Sequence, residues 1–214
     1  MPRRAIALFF VKVVIIYGLF VLPWLRGPDV YAWAFRKAGT VFFRHFGGAG
    51  RVFFGPTEPR KAPYDTTVTI TNLRILRTGH FDVDTRNMGY LATAFAFALI
   101  VASPVPWRRR LLAAILGVAI MSAFVWLQMY LRLVNAFEDP AMGPMFGLSP
   151  FWKRALDMGI TVLSRNPVTA YVGPLFVWAA LTIRREDFVR LGLLPPQTEA
   201  ALKPKDRTRH SHAR

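Results

Sequence analysis

The run His80-Phe81-Asp82-Val83-Asp84-Thr85-Arg86-Asn87 holds the side chains best suited to chemistry in this chain. On a strand, His80, Asp82 and Asp84 share one face at two-residue spacing. An imidazole beside two carboxylates offers ligands for a divalent cation, or an acid and a base. The same pattern also describes the polar outer face of a small sheet, closed by Arg86 as an anchor at headgroup level. A second polar set, Gln128, Arg132 and Asn135, falls on one helix face near the end of an apolar run. An ionisable group at such depth marks a ligand-contacting site, or else a side chain that snorkels outward and pairs with Asp82 or Asp84. Lys12 lies close enough to the end of its own run to snorkel without any further role.

Other chemistries find less support. The chain has no cysteine, so it has no disulfide, no thiolate nucleophile and no Cys-based metal site. His45 and His80 are the only histidines outside the tail, and no GxSxG-like elbow precedes either. Gly47-Gly48-Ala49-Gly50 follows no expected strand and lacks the lysine of a phosphate loop. Trp24, Trp33, Trp107, Trp126, Trp152 and Trp178 sit mostly near run ends or in surface helices, as an aromatic belt does. No cofactor and no metal is expected.

The elements that must position these residues are dominated by apolar runs at Ala5–Leu25, Met88–Val105, Leu111–Leu131 and Pro167–Ile183. About 18 or more apolar residues suffice to cross a bilayer core of about 30 Å as a helix. The 214 residues are 53% hydrophobic and carry a formal charge of +16. Arg3 and Arg4, Arg108 to Arg110, and Arg184 with Arg185 flank the runs. Anionic headgroups and the positive-inside rule explain that placement, which points to membrane lipids and not to nucleic acid. The first run imitates a signal peptide but ends in Leu22-Pro23-Trp24-Leu25-Arg26, with no small-residue cleavage site. The expectation is an all-α, multi-pass protein of the bacterial inner membrane, with four transmembrane helices and both termini cytoplasmic.

The segments divide accordingly. Residues 1–25 form the N-terminus and first span, 88–131 the second and third spans with the arginine turn, and 167–183 the fourth span. Residues 26–87 and 132–166 face the exoplasm, and 184–214 form a basic, disordered cytoplasmic tail. Pro28 and Asp29 open an amphipathic helix whose Tyr31, Ala34, Phe35, Ala38, Phe42 and Phe46 share a face meant for the outer leaflet. Gly47, Gly48 and Gly50 end it. Alternation over residues 66–70, a turn at Thr78-Gly79, and Phe81 and Val83 beyond it predict two or three short strands on that helix. Ser149 and Pro150 start a second interfacial helix, with Phe151, Trp152, Ala155, Leu156, Gly159, Val162 and Leu163 on its apolar face. Gly173 and Pro174 fall within the last run, where neighbouring helices can satisfy the freed backbone.

Phe81-Asp82-Val83, followed by Gly89-Tyr90 and an apolar run, resembles the start of the second span in exosortase-associated membrane proteins, particularly those accompanying exosortase H. The likeness continues through Arg109-Arg110-Leu111-Leu112, Gly117, Gln128 and Gly173-Pro174-Leu175-Phe176-Val177-Trp178, and covers about half the chain. It implies a protein that assists a membrane-embedded sorting peptidase acting on C-terminal anchors of exported proteins. The partner would be that exosortase-like protein or its substrate. The peptidase itself needs a Cys nucleophile, which this chain lacks, so that role does not carry over. The resemblance transfers no functional residue, although Asp82 and Gln128 lie in matching stretches. The sequence therefore favours a non-enzymatic accessory protein. Its competitors are a structural envelope protein, and a small membrane enzyme or lipid- or ion-handling protein built on His80, Asp82, Asp84, Arg86, Gln128, Arg132 and Asn135.

Overall fold

The structure, a computed structural model, describes residues 3–24, 30–58, 63–165 and 167–183. The chain divides into two units, residues 1–182 and 183–214. Apart from Ile183, the second unit lies outside the described residues, and the expected tail with Arg184 and Arg185 goes with it. Pro28 and Asp29 lie outside them as well.

Among its described residues the first unit has six α-helices, four strands and three short π or 3₁₀ turns. Helix α1 spans Arg3–Trp24, α2 Val30–Phe43, α3 Leu91–Ala102, α4 Trp107–Phe137, α5 Pro150–Ile160 and α6 Pro167–Thr182. The strands are β1 (His45–Phe46), β2 (Gly50–Pro56), β3 (Thr66–Asn72) and β4 (Arg77–Val83). They form one antiparallel sheet in the order β1-β2-β3-β4, with Val68 opposite both Phe54 and Phe81.

Helix α3 packs against α1, α4 and α6 and is the centre of the helical tier. Apolar all round, it has no polar face to offer water, and its buried Ala92, Ala94, Ala96 and Ala98 let neighbours approach closely. At the α3–α4–α6 crossing, Gly117 faces Ile100, Leu181 and Val177. The far end of this tier is stapled by arginines. Arg109 donates to the Thr182 carbonyl at 2.8 Å, and Arg110 to those of Ser103 and Val105 at 3.1 Å. These cations meet the free carbonyls and negative dipole ends of α6 and α3, a structural role beyond the lipid contact expected of them.

The second half of α4 is the mast of an α/β cap. Its Val125, Met129, Leu133, Val134 and Phe137 enter one core with Phe35 and Phe43 of α2, Val52 and Phe54 of β2, and Val68 and Ile70 of β3. Phe35 stacks on Trp126 with ring centroids 5.0 Å apart. Helix α5 packs along the same end of α4, with Leu156 buried and Gly159 against Leu131.

The all-α, four-span expectation is thus overturned. A four-stranded sheet is present, and among the described residues only α4, 31 residues long, is long and apolar enough to cross a membrane. The apolar parts of the other helices, Ile6–Leu22, Arg86–Ala102 and Tyr171–Thr182, are shorter. A π-helical turn at Arg86–Tyr90 opens the second run, and Ser103 leaves the helix, so α3 proper is only 12 residues. The first amphipathic segment also departs from its expected role. Phe35 and Phe46 are buried against the sheet core, whereas Ala34 and Phe42 are exposed. Gly47 and Gly48 terminate no helix; their positive φ of 57° and 78° makes the β1–β2 turn, a backbone region open to glycine.

Candidate functional site

At the free edge of β4 the cap leaves a recess of about 760 Å³, within the usual range for ligand pockets. Its walls are residues 77–81 of β4, Arg132, Asn135 and Ala136 of α4, Ile160 of α5, and Asp139, Ala141 and Met142 of the connecting loop. The floor is apolar, from Ile70, Phe81, Met142 and Ile160, and the rim carries Arg77, His80, Arg132 and Asp139.

The wall formed by the loop is fixed by buried polar groups. Asn72, at the end of β3, is buried and donates to the carbonyls of Met142 (3.0 Å) and Gly143 (3.1 Å). Its side-chain oxygen accepts from the Arg74 amide at 3.0 Å, ordering the β3–β4 turn. Arg77 reaches across to the Ala141 carbonyl at 2.6 Å. The Asp139 carboxylate is engaged by the Ala141 amide at 2.8 Å, a cap on the short 3₁₀ turn Pro140–Met142. Glu138 ends α4 and is buried. Its Oε1 accepts from the amides of Phe146 (2.7 Å) and Gly147 (3.0 Å), and its Oε2 from that of Leu148 (3.3 Å). Burial pushes this carboxyl up, but the three amides and the Lys153 ammonium at 3.6 Å outweigh it and hold the pKa below the usual glutamate range.

The sequence-predicted residues do not stay together. His80, Arg132 and Asn135 line the recess. Asp82 shares the outer sheet face with His80 but stands away from the recess, opposite Thr67, whose hydroxyl donates to it at 2.6 Å. Asp84 has left the strand and caps the following helical turn, accepting from the Asn87 amide at 3.1 Å and from the Asn87 side chain. Arg86 lies within electrostatic reach of Tyr17 and Tyr90, at the junction of the helical tier and the cap. Gln128 is buried inside, Arg132 half-buried and Asn135 exposed, so the helical row climbs from core to surface. The face expected to gather His80, Asp82 and Asp84 is broken because the strand ends at Val83. Among the described residues, no group of three His, Asp or Glu side chains is disposed to hold a metal ion.

A polar cluster with no counterpart in the sequence reading sits where α2 meets the sheet. Asp65 accepts from the Thr85 amide (3.3 Å) and hydroxyl (2.7 Å), while its carbonyl accepts from Arg36 at 3.1 Å. Burial raises the Asp65 carboxyl pKa against the opposing pull of those bonds. Tyr31 nearby is pushed up to about 12, first by burial and then by the Asp65 charge. No local signal marks Asp65, because residue 85 joins it only through the β3–β4 register.

Comparison with known proteins gives no match to a family model, a curated protein or a solved structure.

Proposed function

We propose that this chain is a membrane-embedded, non-enzymatic accessory protein whose α/β cap holds a partner protein at the bilayer surface. The observation that carries the reading is the division of surface chemistry between the two ends of α4. Around the helical tier, large apolar side chains face outward: Leu8, Phe10, Val14 and Leu19 of α1, Leu112 and Ile115 of α4, and Phe176 of α6, the last 71% exposed. An apolar surface of that extent signals lipid or a protein partner. The outer face of the sheet carries Arg51, Thr69, Thr71, Thr78, His80 and Asp82 instead, with the exposed Phe53 as the large apolar side chain among them. At about 1.5 Å per residue α4 is about 46 Å long, more than the bilayer core needs, which leaves its Gln128-to-Phe137 end to carry the cap. The arginine staple at the opposite end suits the cytoplasmic side.

The likeness to exosortase-associated proteins makes a membrane-embedded sorting peptidase, or its substrate, the partner class to test first. Two measurements decide the reading. The chain should stay with membranes through carbonate extraction and co-purify with a stoichiometric partner in mild detergent. Monodisperse behaviour in surfactant-free buffer, or recovery from native membranes as a lone species, would refute it. An enzymatic reading would need His80, Asp82 and Asp84 to converge on Arg132, whereas Asp82 and Asp84 are engaged elsewhere.

A further inference from the structure

Strand β4 is seven residues long and, among the described residues, pairs with β3 alone, which leaves its other edge open among them. The direction of that edge follows from two hydrogen bonds. The Asp65 amide donates to the Val83 carbonyl at 3.2 Å, and the Leu73 amide donates to the Ala49 carbonyl at 2.9 Å. In an antiparallel strand the N–H and C=O of one residue point the same way, and the direction alternates along the chain. Val83, Phe81 and Gly79 therefore face β3, and Asp82, His80 and Thr78 turn their backbone groups to the open edge. The second bond gives the same phase, since Leu73 and hence Thr71 and Thr69 face β2.

Natural sheets blunt such edges with proline, lysine, bulges or a covering helix. Strand β4 contains neither proline nor lysine, and it pairs with β3 residue for residue without a bulge. Between it and the α4–α5 pair lies the recess. Its apolar floor suits the inward side chains of an extended chain, and two arginines, Arg77 and Arg132, line it against the single carboxylate of Asp139. The chain as a whole is strongly basic at +16.

We propose that the open edge of β4 is a docking strip on which an extended, carboxylate-bearing segment of a partner protein adds as a further strand over the Arg77–Arg132 recess. Backbone pairing along the edge provides attraction, and the recess selects the side chains. A lipid headgroup would complement the positive charge of the arginines but offers no strand to pair with the alternating edge amides. This deepens the accessory reading and rests on it, since it names the surface that would meet the partner and the chemistry of the segment.

The test uses the full chain in detergent micelles and fluorescein-labelled acetyl-Val-Glu-Val-Glu-Val-Glu, read by anisotropy. Two further peptides carry N-methyl groups, one on the valine amides and one on the glutamate amides. A strand at an edge offers only alternate amides to it, so one methylated peptide should bind about tenfold or more weakly and the other like the parent. Replacing glutamate by lysine should also weaken binding about tenfold. His80→Pro removes an edge-facing amide without touching the β3 ladder and should abolish binding, with hydrogen exchange of β3 amides showing that the sheet persists. Equal effects of the two methylated peptides, or no binding by any of them, would overturn the inference. Protection of β4 amides by phosphatidylglycerol vesicles without peptide would assign the recess to lipid and overturn it too. A native partner that co-purifies equally well with folded His80→Pro protein would also overturn it, yet leave the accessory reading intact.

Discussion

Two carboxylates in the cap should respond to neutralisation with opposite signs. Glu138 is buried and accepts three backbone amides, two on Oε1 and one on Oε2, with Lys153 beside Oε2. Glu138→Gln keeps an oxygen for Phe146 and Gly147 but turns an amide donor on the Leu148 amide and Lys153. Losing one charge-assisted bond and creating that donor–donor contact costs about 2 kcal/mol. Glu138→Ala strands all three amides and costs about 3–5 kcal/mol. For a chain of this size each 1 kcal/mol moves the melting temperature by about 2–4 °C, so Gln should lower it by about 4–8 °C in detergent and Ala by more. The folded pKa of Glu138 is depressed, so its stabilisation is complete above the unfolded glutamate value and is lost as pH falls through the folded value. Asp65 runs the other way. Its folded pKa is raised, so stability falls as pH rises from the unfolded value through the folded one, and Asp65→Asn should hold or raise the melting temperature at neutral pH. A Glu138→Gln protein that melts with the parent, or an Asp65→Asn protein that loses several degrees, would refute the electrostatic account of both sites.

Further substitutions probe the walls of the recess and the crossing of the helices. Asn72→Ala removes two buried donors to the 142–143 carbonyls and should cost about 2–3 kcal/mol in thermal unfolding, with faster hydrogen exchange in residues 139–147. Gly50→Ala would set a methyl 2.6 Å from the Phe46 carbonyl, a backbone atom that cannot turn aside, and should destabilise by about 2 kcal/mol or more. Gly117→Ala meets only the flexible end of Ile100 at 2.6 Å and should cost less than Gly50→Ala in the same assay. Leu76 is 81% exposed and held at φ 53°, so Leu76→Asn should raise stability by about 1 kcal/mol, and a drop would contradict the strain.

Local patterns carried well where local physics decides. The alternation over residues 66–70 lies within β3, Phe81 and Val83 within β4, and Ser149-Pro150 stands at the start of α5. Strand β2 was missed although Val52 and Phe54 alternate with Arg51 and Phe53, because the exposed Phe53 hides the period among apolar neighbours. The turn read at Thr78-Gly79 falls inside β4; the chain reverses at residues 73–76, where Leu76, not a glycine, takes the positive φ. Of the candidate site, His80, Arg132 and Asn135 were legible as polar residues in apolar surroundings. Nothing in their spacing says that a strand edge and a helix end more than fifty residues later share one recess.

The sequence by itself determined which stretches are strongly apolar, where β3 and the end of β4 alternate, and where α5 begins. Those properties belong to consecutive residues and to their transfer between water and hydrocarbon. Only the tertiary structure decided that α4 continues past its apolar run to carry the cap, that Phe35 and Phe46 bury against strands and not lipid, and that β4 keeps an open edge. An edge exists only once pairing has chosen every strand's neighbours, and that choice is made by contacts between residues distant in the chain.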